Sequence, residues 1–78
     1  MNEPSASLDL RGTPCPLNFI RSKLALEQVA VGAWLQVDLD AGEPEHLVAE
    51  GLRAAGHRVE LAPLEAGGVR LCICRHGG

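Results

Sequence analysis

Cys15 sits between Pro14 and Pro16 in the stretch LRGTPCPLNFIRSKLAL, directly ahead of a run with helical periodicity. A residue that precedes proline is driven out of the helical region toward extended backbone angles, so Cys15 is expected to take the conformation of a helix N-cap. Its sulfur then lies over the first helical turn. The N–H groups of Leu17 and Asn18 and the positive end of the helix dipole point at it. Both favour thiolate over thiol, and cysteines so placed titrate at about 3.5–7.5 rather than about 8.5. Arg11 adds a positive charge just upstream, which Asp9 opposes. The pattern describes an exposed sulfur nucleophile. The alternative is a small buried hydrophobe, the commonest use of a free cysteine; against it stand two prolines that fix the backbone at this one residue.

Other residues carry weaker signals. Cys72 and Cys74 stand two apart on a predicted strand and project to one face, too widely spaced for an easy disulfide. With Val69, Leu71 and Ile73 assigned to the core, they fall on the open face of the sheet. They read as ordinary strand residues, or else as a secondary sulfur acceptor or redox-sensitive pair. A metal site needs two further ligands, and only His76 is near in sequence. His46, His57 and His76 show no ligand spacing, and His46 and His57 read as surface polar residues. The acidic run Asp38, Asp40, Glu43, Glu45 reads as solvated loop.

The elements that position these groups follow from periodicity. Ser7–Leu10 alternates as a short strand, and Gly12 allows the turn that follows. Pro16 suits the first turn of a helix that runs to about Ala30 and stops at Gly32. Trp34–Leu39 is a second strand with Leu35, Val37 and Leu39 on one face. After the loop at Asp40–Gly42, a second helix spans about Pro44–Ala55. Its stripe is Leu47, Val48, Gly51, Leu52 and Ala55, with Gly56 as its stop. Arg58–Leu61 and Val69–Cys74 form a hairpin across Glu65–Gly68. The order βαβαββ, with right-handed crossovers, predicts an α+β fold: a two-layer α/β sandwich with a four-stranded mixed sheet and two helices on one face. The first helix carries two apolar stripes, Phe19, Ser22, Leu26, Val29 and, roughly opposite, Leu17, Ile20, Leu24, Val31. Either its buried face is wide, or Leu17, Ile20 and Leu24 stay exposed beside Cys15 as a docking surface for a partner protein.

With 78 residues the chain is one small domain, and its stability is expected to be marginal. Residues 1–6 are expected as a flexible tail, 7–75 as the domain and 76–78 as a second tail. A net charge of −3 gives no electrostatic basis for direct nucleic-acid binding. No apolar run reaches the length of a membrane span. An odd number of cysteines without an apolar leader predicts free thiols and a cytoplasmic location.

LDLRGTPCPLNFIRSKLAL, with the later DAGEP and AAGHRV, resembles the TusA/SirA-type sulfur carriers, small βαβαββ proteins with a Cys-Pro-x-Pro motif at the start of the first helix. The likeness runs from about Ser7 to Leu61. It implies that Cys15 is the catalytic residue and carries a persulfide. Sulfane sulfur would come from a donor such as a cysteine desulfurase or rhodanese-type protein and pass to a downstream acceptor protein. Pro16, Leu17, Asn18 and Arg11 would stabilise the sulfur. No cofactor is expected. The destination (tRNA thiolation, molybdenum-cofactor maturation or sulfur oxidation) stays open, as does a non-catalytic protein-binding or regulatory module on the same fold. Pro16 matches the first motif proline, whereas Asn18 stands where the second is usual; unlike proline, it has an N–H to offer the sulfur. Gly77-Gly78 resembles the terminus of ubiquitin-like sulfur carriers, but their fold opens with a hairpin and this chain opens with βαβ.

Overall fold

A computed structural model of the chain describes residues 4–14 and 16–76. Cys15, Gly77 and Gly78 lie outside the described residues, so the expectations placed on them rest on sequence alone. The elements are β1 (Ala6–Asp9), α1 (Leu17–Glu27), β2 (Trp34–Leu39), α2 (Glu43–Ala54), β3 (Arg58–Pro63) and β4 (Val69–Cys74). They form a four-stranded mixed sheet of order β1-β2-β4-β3, in which β1 pairs with β2 in parallel and β4 lies antiparallel to both β2 and β3. The predicted two-layer βαβαββ fold is the one observed.

Alternation fixes which face of the sheet takes the helices. Leu35, Val37 and Leu39 on β2 meet Ile73, Leu71 and Val69 on β4 in register, and the first five of these are fully buried. Val48, Ala49 and Leu52 of α2 close over this layer, together with Leu26 of α1 and Val29 just beyond it.

Several elements depart from the sequence reading. β1 begins at Ala6, and Ser5 N–H already donates to Trp34 C=O at 2.8 Å, so the sheet takes in the end of the expected tail. α1 stops at Glu27 rather than Ala30, because Gln28 and Val29 donate to carbonyls three residues back and tighten the last turn. On α2 the buried face includes Ala49 and not Leu47, which is 55% exposed and inclines toward α1. β3 extends two residues beyond Leu61, since β4 offers partners as far as Pro63↔Val69. A proline is tolerated there because β3 is an edge strand.

The largest revision concerns α1. Its buried face is Asn18, Ser22 and Leu26, two of them polar, while Phe19 is only half-buried. Leu17 (47%), Ile20 (47%) and Leu24 (57%) are exposed. The choice between a wide buried face and an outward apolar stripe is thereby resolved for the stripe.

Candidate functional site around the start of helix α1

The segment leading to Cys15 is tied to the sheet by charge. Gly12, at φ 82°, donates its N–H to Asp40 Oδ2 at 2.7 Å. Arg11 grips Asp9 with two side-chain bonds of 2.9 and 2.8 Å, and its N–H adds a third at 3.2 Å. These bonds hold the Asp9 carboxyl at about 2, below its usual 3.8, and raise Arg11 further. The positive charge expected to favour a Cys15 thiolate is therefore committed to Asp9. Asp38, on the same sheet face as Asp9, pairs with Arg70 at 2.9 Å. Three of the four residues in the supposedly solvated acidic run are thus structural: Asp38 and Asp40 hold partners, and Glu45 accepts the Gly42 N–H at 3.2 Å to close the start of α2.

Helix α1 begins one residue later than expected. Pro16, with φ −91° and ψ 10°, is its N-cap residue, a shift within the ordinary spread of helix boundaries. The first N–H groups of a helix lack intrahelical acceptors, and here most find acceptors nearby. Asn18 N–H donates to Pro14 C=O at 3.1 Å, Ile20 N–H to Pro16 C=O at 3.1 Å, and Phe19 N–H to Asn18 Oδ1 at 2.7 Å. This corrects the sequence reading, which aimed the Asn18 N–H at sulfur; the Pro14 carbonyl takes it instead. Leu17 N–H has no acceptor among the described residues.

Asn18 is completely buried, and its carbonyl also accepts Ser22 Oγ–H at 2.8 Å. Beside it, Pro16, Asn18, Phe19, Leu47 and Gly51 line a groove of about 260 Å³ between α1 and α2. Gly51 permits the close approach of the two helices, since a Cβ there would lie 2.5 Å from Phe19 Cε1. Sequence reasoning missed this groove. A glycine in the middle of a helix, where it costs about 1 kcal/mol against alanine, was the available signal.

The remaining candidates lie elsewhere. Cys72 and Cys74 share the open sheet face with Gln36 and Trp34, as expected, but Cys74 is buried and its Sγ–H donates to Gly32 C=O at 3.5 Å. Burial, with Glu60 adding to it, pushes the Cys72 thiol up, which makes it a poor nucleophile. His57 is not a free surface residue: its Nδ1 accepts His76 N–H at 3.1 Å. Its pKa is lowered by burial and by Arg75 and His76. Arg75, which the sequence did not single out, donates to the carbonyls of Val29 and Glu27 at the end of α1. Among the described residues no group of three or more His, Cys, Asp or Glu is arranged to hold a metal, and no helix is long and apolar enough to cross a membrane.

Known proteins share both the sequence pattern and the fold. The profile of the family described as "Sulfurtransferase TusA" matches residues 6–75. A protein of Archaeoglobus fulgidus named "Putative sulfur carrier protein" is 37% identical over 57 residues, 73% of this chain and 65% of its own length. The chain thus spans just under two thirds of that relative. The crystal structure of a SirA-like protein from Desulfitobacterium hafniense superposes with a TM-score of 0.81 at 22% identity, covering 92% of this chain and 99% of that one; at that identity the likeness speaks for the fold. With the family profile spanning nearly the whole domain, this chain belongs to the TusA sulfurtransferase family.

Proposed function

We propose that the protein is a sulfur carrier that accepts and passes on sulfane sulfur as a Cys15 persulfide. The observation that supports this most directly is the organised approach to Cys15: Asp40 holds Gly12 on one side, and α1 starts immediately on the other. In the step itself, Cys15 thiolate attacks the outer sulfur of a donor persulfide. A new S–S bond forms at Cys15 as the donor's S–S bond breaks, and the donor leaves as a thiolate with no net oxidation or reduction. Transfer onward repeats the exchange with an acceptor thiolate. Pro16 and Leu17, which follow Cys15 in sequence, begin α1, and Leu17 N–H, without an acceptor among the described residues, is an amide that could serve an anion on Cys15 in this reading. Arg11 acts on this site through its grip on Asp9, by shaping the approach. Leu17, Ile20 and Leu24 give a partner an exposed apolar surface on α1, the helix that follows Cys15 in sequence. Donor and acceptor are both proteins in this reading, a cysteine desulfurase or rhodanese-type donor being the chemical class that supplies persulfide.

Intact-mass measurement after incubation with a cysteine desulfurase and cysteine tests the proposal. One added sulfur in the wild type, absent from Cys15→Ser, is the expected result. No addition to the wild type, or addition that persists in the variant, overturns it and leaves a protein-binding module.

A further inference from the structure

Two exposed faces lie side by side on the helical layer, and they carry opposite charge. β1 runs parallel to β2, and β4 runs against both β2 and β3, so α1 and α2 return across the sheet in the same direction. On α1, Leu17, Ile20 and Leu24 point away from the sheet, opposite the buried Asn18, Ser22 and Leu26. On α2, burial of Val48, Ala49 and Leu52 turns Glu43, Leu47, Glu50 and Ala54 outward at helical spacing. The Phe19 ring packs on Gly51, which sets the middles of the two helices at one height. Helical periodicity then puts Arg21 on the flank of α1 that faces away from α2, and Lys23 on the flank that faces it. Glu50 lies toward the flank of α2 that faces away from α1. Arg21, Lys23, Glu43 and Glu50 are all exposed, and among the described residues none belongs to an ion pair.

We infer that this face is self-complementary and is covered by a second copy of the chain, in a twofold dimer that lays α1 of each copy over α2 of the other. A twofold axis along the groove between the helices makes that exchange. Leu17, Ile20 and Leu24 then cover Leu47 of the second copy, and Arg21 meets Glu50 of the second copy, twice by symmetry. Charge also selects this arrangement. An axis turned across the helices would set α2 on α2 and bring Glu43 and Glu50 of the two copies together. The apolar footprint of Leu17, Ile20, Leu24 and Leu47 is small, so the dimer is a transient one. It covers the stripe that the proposed carrier role offers to a partner protein, and self-association therefore competes with that docking. Its physical test does not depend on the carrier role.

Sedimentation velocity under a thiol reductant, from about 5 µM to about 1 mM protein, reads the association. The wild type passes from monomer to dimer with a midpoint of about 50–500 µM. Arg21→Glu and Glu50→Lys each weaken the dimer at least about fivefold, and the two together restore it to within about twofold of wild type. Lys23→Glu makes the same change in net charge as Arg21→Glu and moves the midpoint less than about twofold. Ile20→Glu/Leu24→Glu stays monomeric throughout. Circular dichroism confirms that each variant is folded. A wild type still monomeric at about 1 mM overturns the inference. So does an Arg21→Glu dimer as tight as wild type, a Lys23→Glu dimer weakened as far as Arg21→Glu, or a charge swap that restores nothing. Failure of the carrier reading looks different: the wild type takes up no sulfur from a desulfurase, whatever its state of association.

Discussion

Replacing Arg75 by alanine should cost about 2 kcal/mol of stability, although the residue lies at the far end of α1 from Cys15. The main chain of Arg75 is fixed by two bonds across to the 32–33 segment, from Gly32 N–H at 2.8 Å and to Ala33 C=O at 3.0 Å. Its Nη1 can then reach Val29 C=O at 2.7 Å and Glu27 C=O at 3.2 Å. These carbonyls belong to the helix end, where intrahelical donors have run out. The half-buried bond to Val29, from a charged donor, contributes about 1.5 kcal/mol. The solvent-open bond to Glu27, together with the cation at the negative end of the helix dipole, adds about 0.5 kcal/mol. A domain of this size loses about 4–8 °C of melting temperature per kcal/mol, so Arg75→Ala should melt about 8–16 °C below wild type. Arg75→Lys keeps the charge without the planar fork and should recover roughly half of the loss. Thermal melts followed at 222 nm, with urea titrations to confirm an unchanged slope, make the measurement. An Arg75→Ala midpoint within about 2 °C of wild type would refute the reasoning.

Three further outcomes are expected. Gly68→Ala should lose about 1–3 kcal/mol in urea titration, because Gly68 sits at φ 94° and its new Cβ would lie 2.7 Å from the Leu39 carbonyl oxygen; an unchanged midpoint would show that the hairpin turn relaxes freely. The Asp9 carboxyl is held at about 2 in the fold against 3.8, so the stability it contributes is complete above about pH 4 and is lost as pH falls toward 2. Asp9→Asn should flatten that part of the acid limb, and a carboxyl titration of Asp9 by NMR near 4 would contradict the assignment. The double variant Ile20→Glu/Leu24→Glu should keep its stability within about 0.5 kcal/mol, since both side chains are exposed. Sulfur uptake from the donor protein should fall in that variant; undiminished uptake would remove the α1 stripe from the docking surface.

How far the sequence could be read depended on whether each element is held by its own pattern or by a distant one. β2 and β4 occupy the predicted spans to the residue, because strict alternation with Leu, Val and Ile leaves one register that buries the apolar face. β3 could not be bounded that way: Leu61-Ala62-Pro63 does not alternate, and only its partner strand carries it to Pro63. α1 misled for a different reason. Its core-facing positions are Asn18 and Ser22, and apolar periodicity is blind to polar residues whose bonds are closed locally. The clamp by Arg75 joins positions 46 and 48 apart in sequence, and no local pattern announces it. Around Cys15, the turn at Gly12 and the helix start were legible. The diversion of Arg11 to Asp9 and of the Asn18 N–H to Pro14 required the fold.

The inverted amphipathicity of α1 would suit the proposed carrier role, in which partners must be released. A helix with a buried polar face keeps its leucine-rich side in water only if local bonds satisfy the polar groups, and Asn18 and Ser22 have such bonds. Leu17, Ile20 and Leu24 are each about half exposed, so docking recovers roughly half of the 1.5–3 kcal/mol available per side chain, about 3 kcal/mol in all. Association itself costs about 4–15 kcal/mol in lost freedom. In the proposed carrier role the stripe therefore could not hold a partner alone; it would orient one. Arg21 and Lys23 lie on the same helix, and among the described residues neither forms an ion pair. Acidic side chains on a partner would raise the encounter rate more than the residence time. A carrier of the proposed kind, reloading and unloading through one thiol, would need that combination, with fast arrival, a small apolar footprint and departure once the S–S bond has moved.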